Sequence, residues 1–191
     1  MFNLFFSALH KRKVFSPELK DFLFKLYHGR LLFKRYHISL NDYLHNKRLT
    51  CSLCCSGVES PKHLFTNCFY GNLLRNNRDR IIANYDSGSS ISEEALISSY
   101  ISGCDAQTNV ISLIIAMSNH TIYKFKMKKI YNSNEIISPE QIMCSFTKNL
   151  KNRIICDLKI HSLEFFGQLW DPGGCKLICD YQDDKIRQWF F

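Results

Sequence analysis

The sequence predicts a mainly α-helical protein with at most a short strand near its C-terminal end. Three observations carry that expectation. Apolar residues recur at helical spacing through most of the chain, as in Leu19, Phe22, Leu23 and Leu26. Serine followed by proline or glutamate marks helix starts at Ser16, Ser60, Ser92 and Ser138. Four cysteines and a histidine fall between positions 51 and 68, at spacings that suit a cross-link for a small first unit.

Taken in order, Ser16-Pro17-Glu18 starts the first helix. The serine hydroxyl accepts a free backbone N–H, proline at the first position loses no hydrogen bond, and glutamate complements the dipole. That helix is expected over about residues 17–28, with Gly29 as its stop. Ile38 to Asn46 forms a second short helix leading into the cysteine segment. Ser60-Pro61 begins another, placing His63 in its first turn, and Asn72 to Tyr85 continues the pattern with Leu73, Leu74, Ile81 and Ile82 as its apolar face.

Asp86-Ser87-Gly88-Ser89-Ser90 has linker composition. The expected division is therefore 1–85, a linker at 86–91, and a helical segment at 92–191. Within the second part, Ser92-Glu93-Glu94 starts one helix, Thr108 to Tyr131 is a longer one, and Ser138-Pro139-Glu140 starts a third reaching about residue 160. Asp171-Pro172-Gly173-Gly174 breaks the run, and Lys176-Leu177-Ile178-Cys179 reads as a short strand or an extended tail.

Composition narrows the function classes. At 191 residues the chain is too short for a polymerase, and an apolar fraction of 46 % excludes general disorder. A formal charge of +8 favours polyanionic partners, and basic residues are concentrated before the first cysteine. The apolar start, Met1 to His10, lacks a positive leader and is too short to span a bilayer; the expectation is a soluble protein of the nucleus or cytoplasm without a membrane partner.

Nine cysteines, an odd number, argue against a complete disulfide framework and for metal ligation by the cluster. Cys51 and Cys54 form a C-x-x-C; His63 follows after eight residues and Cys68 after four more. Zinc takes four tetrahedral ligands, two of which a tight C-x-x-C turn delivers. Cys51, Cys54, His63 and Cys68 are the expected ligands of one structural zinc ion, with Cys55 as an alternative to Cys54. Four protein ligands close the shell, so the metal stabilises the fold and activates no water.

The string Leu49-Thr50-Cys51-Ser52-Leu53-Cys54, followed by Glu59, His63-Leu64-Phe65 and Cys68, resembles the zinc-binding domain downstream of the polymerase in non-LTR (LINE-type) retrotransposon reverse transcriptases. An aromatic helix and a basic segment precede it there, as Phe22 to Arg35 do here. The resemblance covers about residues 20–68. It implies a module that grips RNA template or target DNA beside a reverse transcriptase polypeptide and is not an enzyme by itself. A palm, fingers and an endonuclease are absent from the sequence.

Lys34, Arg35, Lys47, Arg48, Lys62, Arg75 and Arg78 flank the cysteine segment, interleaved with Phe33, Tyr36, Phe65 and Tyr70. Cations with aromatics suit phosphate contacts and base stacking on single strands, although Phe65 is better placed in the core. Lys124, Lys126, Lys128 and Lys129 form a second basic run, read as the solvated end of a helix. Tyr181-Gln182-Asp183-Asp184 matches a polymerase Y-x-D-D turn, yet it follows the cysteine segment instead of preceding it, so no catalytic residue is assigned. Cys175 and Cys179 with Cys156 or His161 have no ligand spacing and read as ordinary thiols. Two alternatives remain: a fragment of an RNA-directed DNA polymerase working with another chain, and a zinc-stabilised protein-interaction module.

Overall fold

A computed structural model describes residues 14–33, 49–85, 91–101 and 105–171, together with the backbone of 178–182 and 185–189. The described residues form six α-helices, α1 (Pro17–Tyr27), α2 (Phe69–Tyr85), α3 (Glu93–Ser98), α4 (Ala106–Tyr131), α5 (Pro139–Ile160) and α6 (Leu163–Trp170), of which α1, α3 and α5 begin at the serine start signals. A π-helical turn, His63–Asn67, precedes α2. The protein is mainly helical, as its sequence predicts. The helix expected over 38–46 lies outside the described residues.

The start signals act as physical caps. Ser16, Ser92 and Ser162 each accept the N–H three residues on, and Ser138 does so within a full capping box whose Gln141 side chain returns to the Ser138 N–H. Asp105 caps α4 through the Thr108 N–H at 2.7 Å. The helix α6 escaped the sequence reading, because Ser162 opens it only two residues after α5 ends. The C-terminal strand β1 (Ile178–Gln182) is partnered by a second, β2 (Lys185–Trp189), in an antiparallel pair with Gln182 opposite Lys185.

Helix α4 is the centre of the molecule. It packs on α1, α2, α3, α5, α6 and the π turn, and residues 110–119 are buried without interruption. A helix apolar on all sides needs neighbours on all sides. Polar groups along its buried stretch find partners in neighbouring segments: Asn119 donates to the Leu96 carbonyl at 2.7 Å and to Ser99 Oγ at 3.0 Å, and Ser112 Oγ accepts the Ile101 N–H. Against α4 and α2 lies α5, with Ile142, Phe146, Leu150, Ile154 and Leu158 buried along one i, i+4 ridge. No described helix is long and apolar enough to cross a membrane.

The segment expected to divide the chain, 86–91, is described only at Ile91. On either side of it the buried side chains form one continuous cluster, from Phe15, Phe22, Phe33 and Phe65 through α4 to Phe166 and Trp170. Tyr85, at the end of α2, donates its hydroxyl proton to the Leu169 carbonyl of α6 at 2.7 Å. The two parts share a core.

Candidate metal centre

The loop holding the first two cysteines closes as a short ladder. The Glu59 N–H donates to the Leu49 carbonyl at 2.8 Å, Thr50 bridges Val58, and the Cys51 N–H donates to the Gly57 carbonyl at 3.0 Å. Between these rungs the chain turns sharply: the Cys55 N–H reaches the Cys51 carbonyl at 2.9 Å, and both Cys55 (φ 56°) and Gly57 (φ 69°) are left-handed. Glycine is demanded at 57 twice over, since a Cβ there would stand 2.7 Å from the His63 ring. The same turn leaves Cys55 exposed and directs Cys54 inward.

His63 and Cys68 are five residues apart, which on an α-helix separates them by about 140°. The π turn removes that mismatch. Its i to i+5 bond runs from the Cys68 N–H to the His63 carbonyl at 2.6 Å, so the two ligands are brought onto one side. Ser60 Oγ caps the turn by accepting the His63 N–H at 3.0 Å, and Thr66 Oγ1 donates to the Lys62 carbonyl at 2.7 Å. Helix α2 then begins so close to the turn that a Cβ on Gly71 would meet the Leu64 carbonyl oxygen at 2.1 Å.

These two pieces assemble Cys51, Cys54, His63 and Cys68 into a group whose ligand atoms all lie within 4.8 Å of one another, and which could hold a metal ion. Cys51 Sγ is 3.9 Å from Cys68 Sγ, and Cys54 Sγ is 3.3 Å from His63 Nε2. Cys51 and Cys68 are buried, whereas Cys54 and His63 are half-buried on the outer side. Cys54, not Cys55, completes the set.

The Cys51 and Cys68 sulfurs are within hydrogen-bonding reach of each other. A hydrogen bond from Cys68, opposed by burial and helped by the Cys54 and Leu53 amides, lowers the Cys51 thiol to about 5. That same bond and burial push Cys68 upward, with only the Gly71 amide working the other way. Backbone amides aimed at both sulfurs favour thiolates, the form a metal requires.

Behind the loop, Glu59 holds its geometry. One carboxylate oxygen accepts the Ser52 N–H and hydroxyl, each at 2.9 Å, and the other receives Lys126 Nζ at 3.0 Å. Lys126 also donates to the Leu32 carbonyl and stands over the Phe33 ring, 4.4 Å from its centroid. Sequence reading had placed Lys126 on a solvated helix end; it is fully buried. Its neighbours in that run do lie outside: Lys124 pairs with Glu18 at 3.0 Å, Lys128 with Glu135, and Lys129 donates to the Ser133 and Glu135 carbonyls.

The flanking cations are distributed unevenly. Lys34, Arg35, Lys47 and Arg48 lie outside the described residues. Lys62 is exposed and paired with Glu93 at 3.0 Å, and Arg75 is half-buried. Arg78 is a correction: it is 1 % exposed, with its guanidinium held by Asp79 at 2.8 Å and directed at Ser118, so it is an internal brace and no phosphate ligand. Burial lowers its pKa. Phe33 and Phe65 meet edge to face in the core, and Tyr70 donates its hydroxyl proton to the Ile137 carbonyl. Of the interleaved aromatics these three serve packing, while Tyr36 lies outside the described residues.

Cys156 is exposed and His161 lies against Phe165 with their rings tilted; neither joins a second metal group among the described residues. Asp183 and Asp184 lie outside them. Sequence reading missed Gly57 and Gly71 and misplaced Lys126; for Gly57 the C-x-x-C-C-x-G spacing is the available signal, and the other two carry no local motif. No protein-family model matches this chain, nor does any curated protein or solved structure.

Proposed function

We propose that this chain is a zinc-stabilised nucleic-acid-binding module, non-catalytic by itself, of the kind its cysteine segment resembles at the end of LINE-type reverse transcriptases. The observation that carries the metal part is the four-ligand cluster. For metal–ligand bonds of about 2.0 to 2.3 Å, a tetrahedral shell places neighbouring ligand atoms roughly 3.5 to 3.8 Å apart. Cys51 and Cys68 sulfurs at 3.9 Å and Cys54 Sγ to His63 Nε2 at 3.3 Å bracket that range. Three thiolates with one imidazole favour zinc over harder ions, and a filled shell assigns it a structural role.

Support for the nucleic-acid part is electrostatic. The chain carries +8, and Lys62 and Arg75 flank the cluster while Lys34, Arg35, Lys47 and Arg48 precede it. RNA or DNA is bound through phosphates, with little sequence preference. The test is to purify the protein with its metal, measure zinc stoichiometry, and titrate single-stranded RNA and duplex DNA at two salt concentrations. One zinc per chain and binding that weakens steeply with salt are expected. Folded protein without zinc removes the basis of the proposal.

A second reading, a zinc-stabilised protein-interaction module, is favoured by Ile160, Leu163 and Phe165, exposed at 73 %, 53 % and 48 % around the junction of α5 and α6. It calls for association that persists at high salt and is lost on Leu163→Glu.

A further inference from the structure

The four residues of the cluster are unequally sheltered. Cys51 and Cys68 are buried, whereas Cys54 and His63 are half-buried on the outer side. Around the Cys54 sulfur stand the Ser56 carbonyl oxygen and hydroxyl, each at 3.2 Å, and His63 Nε2 at 3.3 Å. A small electrophile arriving from solvent meets Cys54 before the other two thiols. A metal-bound cysteine sulfur is anionic, and the anion is the nucleophile.

Geometry also selects the thiol that would answer an oxidised Cys54. The Cys51 and Cys54 side chains are hydrogen-bonded to each other, and one closed turn holds both, with the Cys51 N–H on the Gly57 carbonyl and the Cys55 N–H on the Cys51 carbonyl. Cys68 belongs to the other piece, at the end of the π turn, and its sulfur faces Cys51 at 3.9 Å. Cys55 is adjacent in sequence but unsuited. Neighbouring Cα atoms stand about 3.8 Å apart, short of the roughly 4.4–6.8 Å that a disulfide spans, and the left-handed backbone at Cys55 leaves it exposed outside the cluster.

We propose that the cluster is an oxidation site, at which a hydroperoxide joins Cys54 to Cys51 in a disulfide and displaces the metal. The proposal rests on the metal reading above. The Cys54 thiolate attacks hydrogen peroxide: an S–O bond forms as the O–O bond breaks, the sulfur gives up two electrons, and hydroxide leaves. The Cys51 thiolate then attacks the resulting sulfenic sulfur, forming the S–S bond and expelling a second hydroxide. Two thiolates and one peroxide thus become one disulfide and two hydroxide ions. His63 and Cys68 alone remain as ligands, too few to close a tetrahedral shell. The loop itself stays anchored, because Glu59 holds Ser52 on one side and Lys126 on the other. Reduction therefore returns both thiolates to the positions a metal requires.

The experiment treats the full zinc-loaded chain with hydrogen peroxide, follows zinc release with a chromogenic chelator, alkylates the remaining thiols and maps tryptic peptides by mass spectrometry. Trypsin places Cys51, Cys54 and Cys55 in one peptide, 49–62, and Cys68 in another, 63–75. Release of the single zinc is expected in step with loss of two hydrogen atoms from peptide 49–62, while Cys68 is alkylated. Cys55→Ser, which keeps all four ligands, should behave identically, and dithiothreitol with added zinc should restore the original stoichiometry. Dimedone, which traps sulfenic acids, should mark Cys54 when added with the peroxide. A disulfide joining the two peptides, a bond that disappears in Cys55→Ser, dimedone on Cys68, or zinc released without a bond in peptide 49–62 overturns the proposal. Zinc retained under peroxide, with every thiol of peptide 49–62 still alkylated, overturns it and leaves the metal reading standing. Reduced protein that takes up no zinc overturns both.

Discussion

Lys126 Nζ lies 3.0 Å from Glu59 Oε1, and neither side chain is exposed at all. One partner belongs to the cysteine loop and the other to the central helix, 67 positions later in the chain. Burying two charges is costly unless every donor and acceptor is used. Here the carboxylate serves Ser52 and Lys126 together, and the ammonium also reaches the Leu32 carbonyl and the Phe33 ring. The cysteine loop is thereby bolted to the core.

Breaking that pair on one side strands the other charge. Lys126→Met is expected to cost about 3–5 kcal/mol in urea unfolding and to weaken metal retention. The double variant Lys126→Met/Glu59→Gln should lose less than the sum of the two single changes, because no uncompensated charge remains. Additive losses would show that the two groups are not coupled.

Cys54 and Cys55 are neighbours with different fates. Cys54→Ala should lower zinc affinity at least about a hundredfold, as one of four ligands sharing roughly 10–16 kcal/mol. Cys55→Ala should bind zinc as the wild type does. Competition with a chromogenic chelator reads both, and the opposite ranking would exchange the ligands.

Gly57→Ala combines a left-handed backbone with a Cβ set against the His63 ring. A loss of about 1–3 kcal/mol is expected from the backbone alone, with weaker zinc retention because the imidazole must move. Gly29 is also left-handed but has open space around its Cβ position. Gly29→Ala should therefore show the backbone part with zinc affinity unchanged.

Chelation should not leave the second half intact. Phe65 and Cys68 belong to the same buried cluster as α4 and α5, so stripping the metal is expected to lower the melting temperature of the whole chain in one transition. Two separate transitions, with α4 and α5 surviving, would show that the halves are independent.

His120 supplies a pH dependence. Burial lowers its pKa from 6.5, with Lys124 adding to the effect and Glu18 opposing it. The unfolded chain then binds the proton more readily than the folded one, so stability falls as pH drops through about 6.5 toward the lowered folded value. His120→Gln should flatten denaturation midpoints across that window. Glu18, lowered chiefly by its hydrogen bond from Lys124, acts in a different range: its contribution is present above 4.5 and lost below it.

Local chemistry was legible where it is local. The Ser16, Ser92 and Ser138 caps, the helical spacing behind them and the C-x-x-C pattern each depend on residues a few positions apart, and all appear in the structure. The sequence favoured Cys54 but kept Cys55 open, because both spacings satisfy a tight turn; the left-handed backbone at Cys55 leaves that residue exposed and Cys54 in the cluster. The π turn was equally hidden, since an apolar pattern around His63 reads the same for α and π geometry.

The sequence by itself determined a mainly helical chain and a Cys-Cys-His-Cys cluster, because capping, periodicity and ligand spacing are short-range properties. Tertiary structure alone decided which basic residues face outward. Arg78 and Lys126 are indistinguishable by composition from Arg75 and Lys124, yet the first two are buried. A charged side chain goes inside only where the fold supplies its partners: Ser118, 40 positions on, joins the neighbouring Asp79 at Arg78, and Glu59 with Leu32 serve Lys126 from far along the chain. No short window of sequence contains that information.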